Sequence, residues 1–384
     1  MPAFSQQEYR ERTTRLRQQM AARGMDTLLV LNEPNMNYLT GYDGMSDYVP
    51  QLALVCQDEE DPWLILREMD FTCATASSYL PHSRILTYPE KYIGSSQRTA
   101  WQPIANLIRE RTKSNRIGVE LTAKMFGVKA HAALASNLDL SKSVDADGMI
   151  SKQKTIKSPA ELAYMEQAGK IVDRAMQVGR LEIAVGAREC DVGAAIMNAL
   201  CKGTPEFPGG VCRFPTMPVG SPATAPHLKW SDASYKIGCQ TNFEMGAFRH
   251  RYACALSRTV FLGEPPARAR HLHQAALDGF LAQLEVIRPG VKCSDAWQAF
   301  QRAFKPYGVR KESRSGYSIG IDWVDGGGSF QADDHTVIEP NMTFHVLIGI
   351  WERDDGYIFS ETVRVTENGA KSLSSVSRDL LVNY

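Results

Sequence analysis

Residues 242–263, NFEMGAFRHRYACALSRTVFLG, restrict this chain more than any other stretch. Two apolar runs flank a short basic segment, the pattern of a β-hairpin whose successive side chains alternate between faces. Glu244 lies inside the first run, next to Phe243. A carboxylate there is costly to bury unless a positive charge meets it. Arg249, Arg251 and Arg258 are near enough in sequence to supply that charge, and so is a cationic substrate. The residues alone leave both partners open.

Composition narrows the classes of function. The chain has 384 residues, 43% hydrophobic and 22% charged, enough for two domains with full cores. Lysine plus arginine equals aspartate plus glutamate at 43 each, so there is no basic footprint for nucleic acid or an acidic membrane. A small molecule is the expected partner. The polar, helical N-terminus and the lack of any apolar run of membrane-spanning length imply a cytoplasmic protein. Eight scattered cysteines without a Cys-x-x-Cys pair read as reduced, mostly buried thiols.

Residues 1–150 alternate between strand and helix patterns, an α/β layout. A charged amphipathic helix over 5–23 precedes the apolar strands DTLLVLN, YVPQLALVC and PWLILRE. RILTYPE, a helix over 99–113, RIGVEL and a helix over 123–137 complete the series. A second domain, 151–384, opens at Ser158, which can cap a helix with Pro159 in its first turn and Glu161 closing a capping box. Helices over 188–202, 268–287 and 294–306 surround the hairpin, and the C-terminal part is rich in strands.

Several motifs together resemble the pita-bread family of creatinase, prolidase and methionine aminopeptidase. These are TGYDGMSDYVPQ, KSPAEL, SPATAPHLKW, the hairpin, ESRSGYSIG, EPNMTFHVLIGIW and SETVRV. They run in family order over nearly the whole chain and are most similar to the ectoine hydrolase subfamily. The resemblance implies an N-terminal creatinase-like α/β domain before a C-terminal pita-bread catalytic domain, and a homodimer. It also implies metal-ligand positions that this chain fills with Glu244, Ala255, Tyr317, Leu347 and Glu361. Alanine, tyrosine and leucine are unsuitable ligands for two hard cations, so no metal and no other cofactor is expected.

What the resemblance then implies is metal-independent hydrolysis of a C–N bond in a small amidine or guanidino compound. The electrophilic carbon of such a substrate already carries positive charge. His227, in the loop where relatives carry an active-site histidine, is the expected general acid/base. Glu244 is the expected nucleophile or cation-binding carboxylate, with Glu361 as a second catalytic carboxylate and Arg258 as a structural brace. Tyr48, Tyr317 and His345 are candidate substrate contacts. His345 either points toward the former metal site on the face it shares with Leu347, or packs as a satisfied core histidine. His271 and His273 read as solvated, and His82, His131, His250 and His335 have no supporting context. A substrate carboxylate would want a clamp from Arg213, Lys229, Arg249 or Arg314, among which the sequence does not choose. Met45, Asp47 and the loop DWVDGGGSFQADD depart from the subfamily's pattern, so a related substrate is compatible. The competing readings are an Xaa-Pro metallopeptidase and a non-catalytic binding module.

Overall fold

The computed structural model describes residues 2–112, 116–211, 213–352 and 354–384. They fall into two compact units, Met1–Gln153 and Lys154–Tyr384. Both mix helices with sheet, as the α/β reading expects.

The first unit is built on a six-stranded sheet. Its strands are Thr27–Val30 (β1), Leu52–Cys56 (β2), Trp63–Arg67 (β3), Ile85–Tyr88 (β4), Ile117–Val119 (β5) and Val144–Asp145 (β6), in the order β4-β3-β2-β1-β5-β6. The β1–β2 and β2–β3 pairs are antiparallel and the others parallel. The central strands are apolar throughout because both faces are covered, with Leu29, Leu54, Ile65, Ile104 and Ile108 in one core. The expected helix over 123–137 is shorter, Val128–Ala135. A helix at Glu33–Thr40 had no clear periodic signal; it is set by Pro34 in its first turn and by Gly41, left-handed at φ 75°, at its end. Buried Glu120 anchors its start by accepting from the Leu31 and Asn32 amides, both at 2.8 Å. Lys113, at the end of the expected helix over 99–113, lies outside the described residues.

The second unit opens with the capping box. The Glu161 amide donates to Ser158 Oγ at 3.2 Å, and the Ser158 amide donates to Glu161 Oε2 at 2.6 Å. The helix Pro159–Leu181 follows, then Glu189–Lys202, and later the pair Ala267–Val286 and Cys293–Phe304. Between and after them run Gln240–Arg249 (β7), Tyr252–Leu262 (β8), Gly316–Gly320 (β9), Trp323–Ser329 (β10), Thr343–Trp351 (β11), Gly356–Thr366 (β12), Gly369–Ser372 (β13) and Leu381–Asn383 (β14). One eight-stranded sheet results, in the order β10-β9-β11-β12-β8-β14, with β7 on β8 and β13 on β12. Each helix pair covers its own part of the sheet through a separate core.

The register of this sheet decides which side chains meet. Directly opposed residues of an antiparallel pair share a face. Glu244 pairs with Ser257, Ser257 with Ser360, and Ser360 with Leu347, so these four form one row. The neighbouring row on the same face includes Gly246, Ala255, Thr362, His345 and Tyr317. Glu361 is one residue on from Ser360 and therefore faces the other way.

On that other face Glu361 is buried in an ion pair. Its Oε1 accepts from Arg258 Nη2 and Arg378 Nε, both at 2.9 Å, and its Oε2 accepts from Arg378 Nη2 at 2.8 Å. Arg258 also donates to the carbonyls of Ser257, Ser360, Val376 and Ser377, tying two strands to the C-terminal segment. Removing one member of a buried, fully bonded pair leaves the other charge stranded. Arg258→Met should cost about 3–5 kcal/mol, read as a lower urea midpoint.

Candidate active site

A cavity of about 630 Å³ opens on the face that carries Glu244. Its walls come from the loop 213–229, from β7, from residues 311–317 and from β10 and β11. The loop is Pro-rich and would wander, but main-chain bonds stitch it to β7. The amides and carbonyls of Thr216 and Glu244 exchange bonds of 2.9 and 3.1 Å, and the Asn242 amide reaches the Pro218 carbonyl at 3.2 Å. The loop then folds back on itself through the Met217 amide to the Leu228 carbonyl at 2.8 Å, which brings His227 into the lining.

Of the residues expected from sequence, His227, Glu244 and Tyr317 line this cavity. Glu361 does not; sheet alternation turns it to the opposite face and two arginines consume its oxygens. His345 lies fully buried behind Tyr317, so its place is that of the satisfied core histidine. Tyr48 belongs to the first unit, where its phenol is exposed and accepts from Arg67 Nη2 at 2.6 Å. His271 and His273, expected to be solvated, are instead bonded to the Tyr307 carbonyl at 2.9 Å and the Tyr357 hydroxyl at 2.7 Å. Only three of the seven described cysteines are buried, Cys56, Cys254 and Cys293, so the expectation of mostly buried thiols fails; Cys212 lies outside the described residues.

The arginines close to Glu244 in sequence are all engaged elsewhere. Arg249 donates to Gln167, Arg251 pairs with Asp322, and Arg258 pairs with Glu361. Burial pushes the Glu244 carboxyl up to about 7, and the nearby Arg213 only partly pulls it back. Lys311 shows the mirror effect: burial lowers its ammonium to about 7. Two groups of opposite sign are thus poised near neutrality in one cavity.

Behind the lining runs a hydrogen-bonded chain. Trp323 Nε1 donates to the Tyr317 hydroxyl at 2.8 Å, and that hydroxyl lies 3.0 Å from His345 Nδ1. Ser360 Oγ donates to Ser257 Oγ at 2.8 Å and therefore accepts from His345 Nε2 at 2.7 Å, so Nδ1 of the neutral ring accepts from the Tyr317 hydroxyl. Burial lowers His345 to about 3, so the ring stays neutral. Trp323 adopts φ 98° and Asp322 φ 56°, a left-handed turn that seats the indole against β7. Gly246 is required there, because a Cβ would stand 2.2 Å from the ring. Trp323 and Lys311 were not singled out from the sequence. Trp323 lies in a loop that showed only as a departure from pattern, and Lys311 sits among like charges in VRKESR.

The chain belongs to metallopeptidase family M24. The model of that family matches residues 163–367, and the Creatinase/Prolidase N-terminal domain matches residues 12–156. The chain is 36% identical to an uncharacterised hydrolase/peptidase of Sinorhizobium fredii and 33% identical to the ectoine hydrolase of Halomonas elongata. Each alignment covers 99% of this chain and 98% of the relative. The prolidase of Pyrococcus horikoshii shares the pita-bread fold, with a TM-score of 0.82 over 97% of this chain and all of that one at 19% identity. These relatives make the chain a member of a hydrolase family, and among the described residues no helix is long and apolar enough to cross a membrane.

The family description implies a metal, and the residues do not fit one. Among the described residues, no three His, Cys, Asp or Glu side chains converge as ligands. The sheet face that carries Glu244 offers Ala255, Ser257, Leu347 and Ser360 around it, and its one imidazole is bonded at both nitrogens.

Two titrations follow. The raised Glu244 carboxyl contributes stability while protonated, and this is lost as pH rises from about 4.5 to about 7. The loss should be about 1–3 kcal/mol after solvent screening, and Glu244→Gln should abolish that slope in denaturation measured across pH. His345 acts in the opposite sense, with stability lost as pH falls from 6.5 toward about 3. A carboxyl ¹³C resonance of Glu244 titrating below pH 5 would contradict this picture.

Proposed function

We propose that this protein hydrolyses a C–N bond of a small amidine or guanidino compound without a metal, ectoine or a close relative of it. The observation that carries the reading is one cavity holding Glu244 and His227 on a sheet face without a ligand set. Similarity to an ectoine hydrolase over nearly the full length supports the substrate class.

The chemistry suits those groups. An amidinium carbon is electrophilic by its own charge, so attack by water needs less external polarisation than at a peptide carbonyl. Ionised Glu244 pairs with the N–C–N unit and orients it. His227 takes a proton from water as the new C–O bond forms, then returns it to the departing nitrogen as the C–N bond breaks. In a covalent variant Glu244 itself attacks the carbon, and water releases the intermediate. Tyr317 adds a phenol to the wall, held at a fixed angle by Trp323 and His345. Glu361 serves the fold rather than the reaction. The active form in this reading is a cytoplasmic homodimer, with the exposed Tyr48 phenol as a substrate contact.

The family's description and its prolidase fold favour one other reading, an Xaa-Pro peptidase. Parallel product assays on ectoine, creatine and Xaa-Pro peptides separate the two. Turnover of an amidine or guanidino substrate should persist in EDTA. Activity that disappears in chelator and returns with a divalent ion, on an Xaa-Pro peptide, would favour the peptidase. His227→Ala should lower kcat by about 10²–10⁴-fold. A variant with full turnover would remove His227 from the mechanism. Because Glu244 must be ionised to hold a cation, kcat/KM should rise with pH through about 7.

A further inference from the structure

The same cavity carries far more positive than negative charge. Arg213, Lys229, Lys311 and Arg314 all line it, against Glu244 as the one carboxylate in its lining among the described residues. Among the described residues, none of the four forms an ion pair with a carboxylate; the nearby carboxylates Glu312, Asp322 and Glu352 are taken by other arginines. Arg213 does feel Glu244 across the cavity, but as a field and not as a bonded partner.

What holds these cations leaves their charge available. Arg213 lies 5.3 Å from the Trp323 ring, Lys229 4.5 Å from Phe214 and Arg314 4.2 Å from Tyr317. An aromatic face organises a cation without neutralising it. Lys311 is held by neutral oxygens, donating to the Gly349 carbonyl at 3.0 Å and to Ser313 Oγ at 2.9 Å. Even with Glu244 ionised, Arg213, Lys229 and Arg314 outnumber it in a space sized for a small molecule, and Lys311 adds a further charge when an anion reaches it. A substrate bearing one carboxylate would answer only part of this positive field, and a second carboxylate would meet the rest.

We propose that the substrate is a dicarboxylate, an amidino or guanidino dicarboxylic acid, whose two carboxylates are held by Lys311 and Arg314 on one side and Arg213 on the other. Glu244 then takes the cationic N–C–N unit between them. Arg guanidinium suits this task because its planar fork matches a carboxylate with two parallel hydrogen bonds. The assignment rests on the C–N hydrolase reading only for the identity of the reacting group.

Calorimetric titration of the full-length protein with N-carbamimidoyl-aspartate, guanidinoacetate, succinate, inorganic phosphate and ectoine tests it. The guanidino dicarboxylate should bind about tenfold or more tightly than the monocarboxylate guanidinoacetate. Arg314→Gln, at an exposed position that should leave folding intact, and Lys311→Met should each reduce that preference to about threefold or less. Equal or weaker binding of the dicarboxylate overturns the proposal, and so does phosphate binding more tightly than succinate. Rapid hydrolysis of ectoine with no preference for a second carboxylate would overturn this inference and leave the C–N hydrolase reading standing. Tight dicarboxylate binding without any C–N cleavage would do the reverse.

Discussion

The chain of hydrogen bonds from Trp323 through Tyr317, His345 and Ser360 to Ser257 is the constraint on which the site depends. It crosses β10, β9, β11, β12 and β8 in a buried region where each polar atom must find a partner or impose a penalty of a few kcal/mol. Trp323, Tyr317, His345 and Ser360 each donate to the next member, and the direction of the protons follows from the Ser360 hydroxyl, which donates to Ser257. Burial keeps His345 neutral, and the bonds at both of its nitrogens keep it unavailable. The chain of bonds also fixes Tyr317 as a wall of the cavity and places the indole of Trp323 over Gly246.

With that face closed to ligands, reactivity moves to its edge. Glu244 sits at the end of the Leu347–Ser360–Ser257 row, half-buried and without a bonded cation, and its carboxyl rises accordingly. Lys311 is displaced toward neutrality by the same desolvation acting on the opposite sign. Such groups are not optimised for the empty protein. A cation arriving at Glu244, or an anion arriving at Lys311, restores the charge that burial suppresses, so binding energy and protonation are coupled in one small volume.

The two faces of the sheet divide their labour. Arg258 and Glu361 on the far face spend their charge on each other and on backbone carbonyls, holding β8 and β12 to the C-terminal segment. The arginines on the cavity face rest on aromatic rings and keep theirs. Residues of the same type thus brace the fold on one side and stand without a bonded carboxylate on the other. The difference lies in their partners, which no spacing rule supplies.

Much of the architecture could be read from local pattern. The apolar runs of β1 to β3, the Ser158–Glu161 capping box and the hairpin at 242–263 each carry their signal within a few residues, because helix caps and strand alternation are local physics. Glu244 stands out locally as an acid in an apolar strand, whereas His227 stands out only through the resemblance of its loop to the family's; both line the one cavity. What sequence could not supply was register. A shift of one residue separates Ser360, on the active face, from Glu361, on the other, and β-pairing alone decides which is which. The Trp323 turn and the convergence of Arg213, Lys311 and Arg314 likewise depend on segments about 100 residues apart meeting across the sheet. Local sequence carries most of the elements and the lack of suitable ligands at Ala255, Tyr317 and Leu347; the fold decides which charges are cancelled and which are left uncancelled, because cancellation is a matter of distance in space.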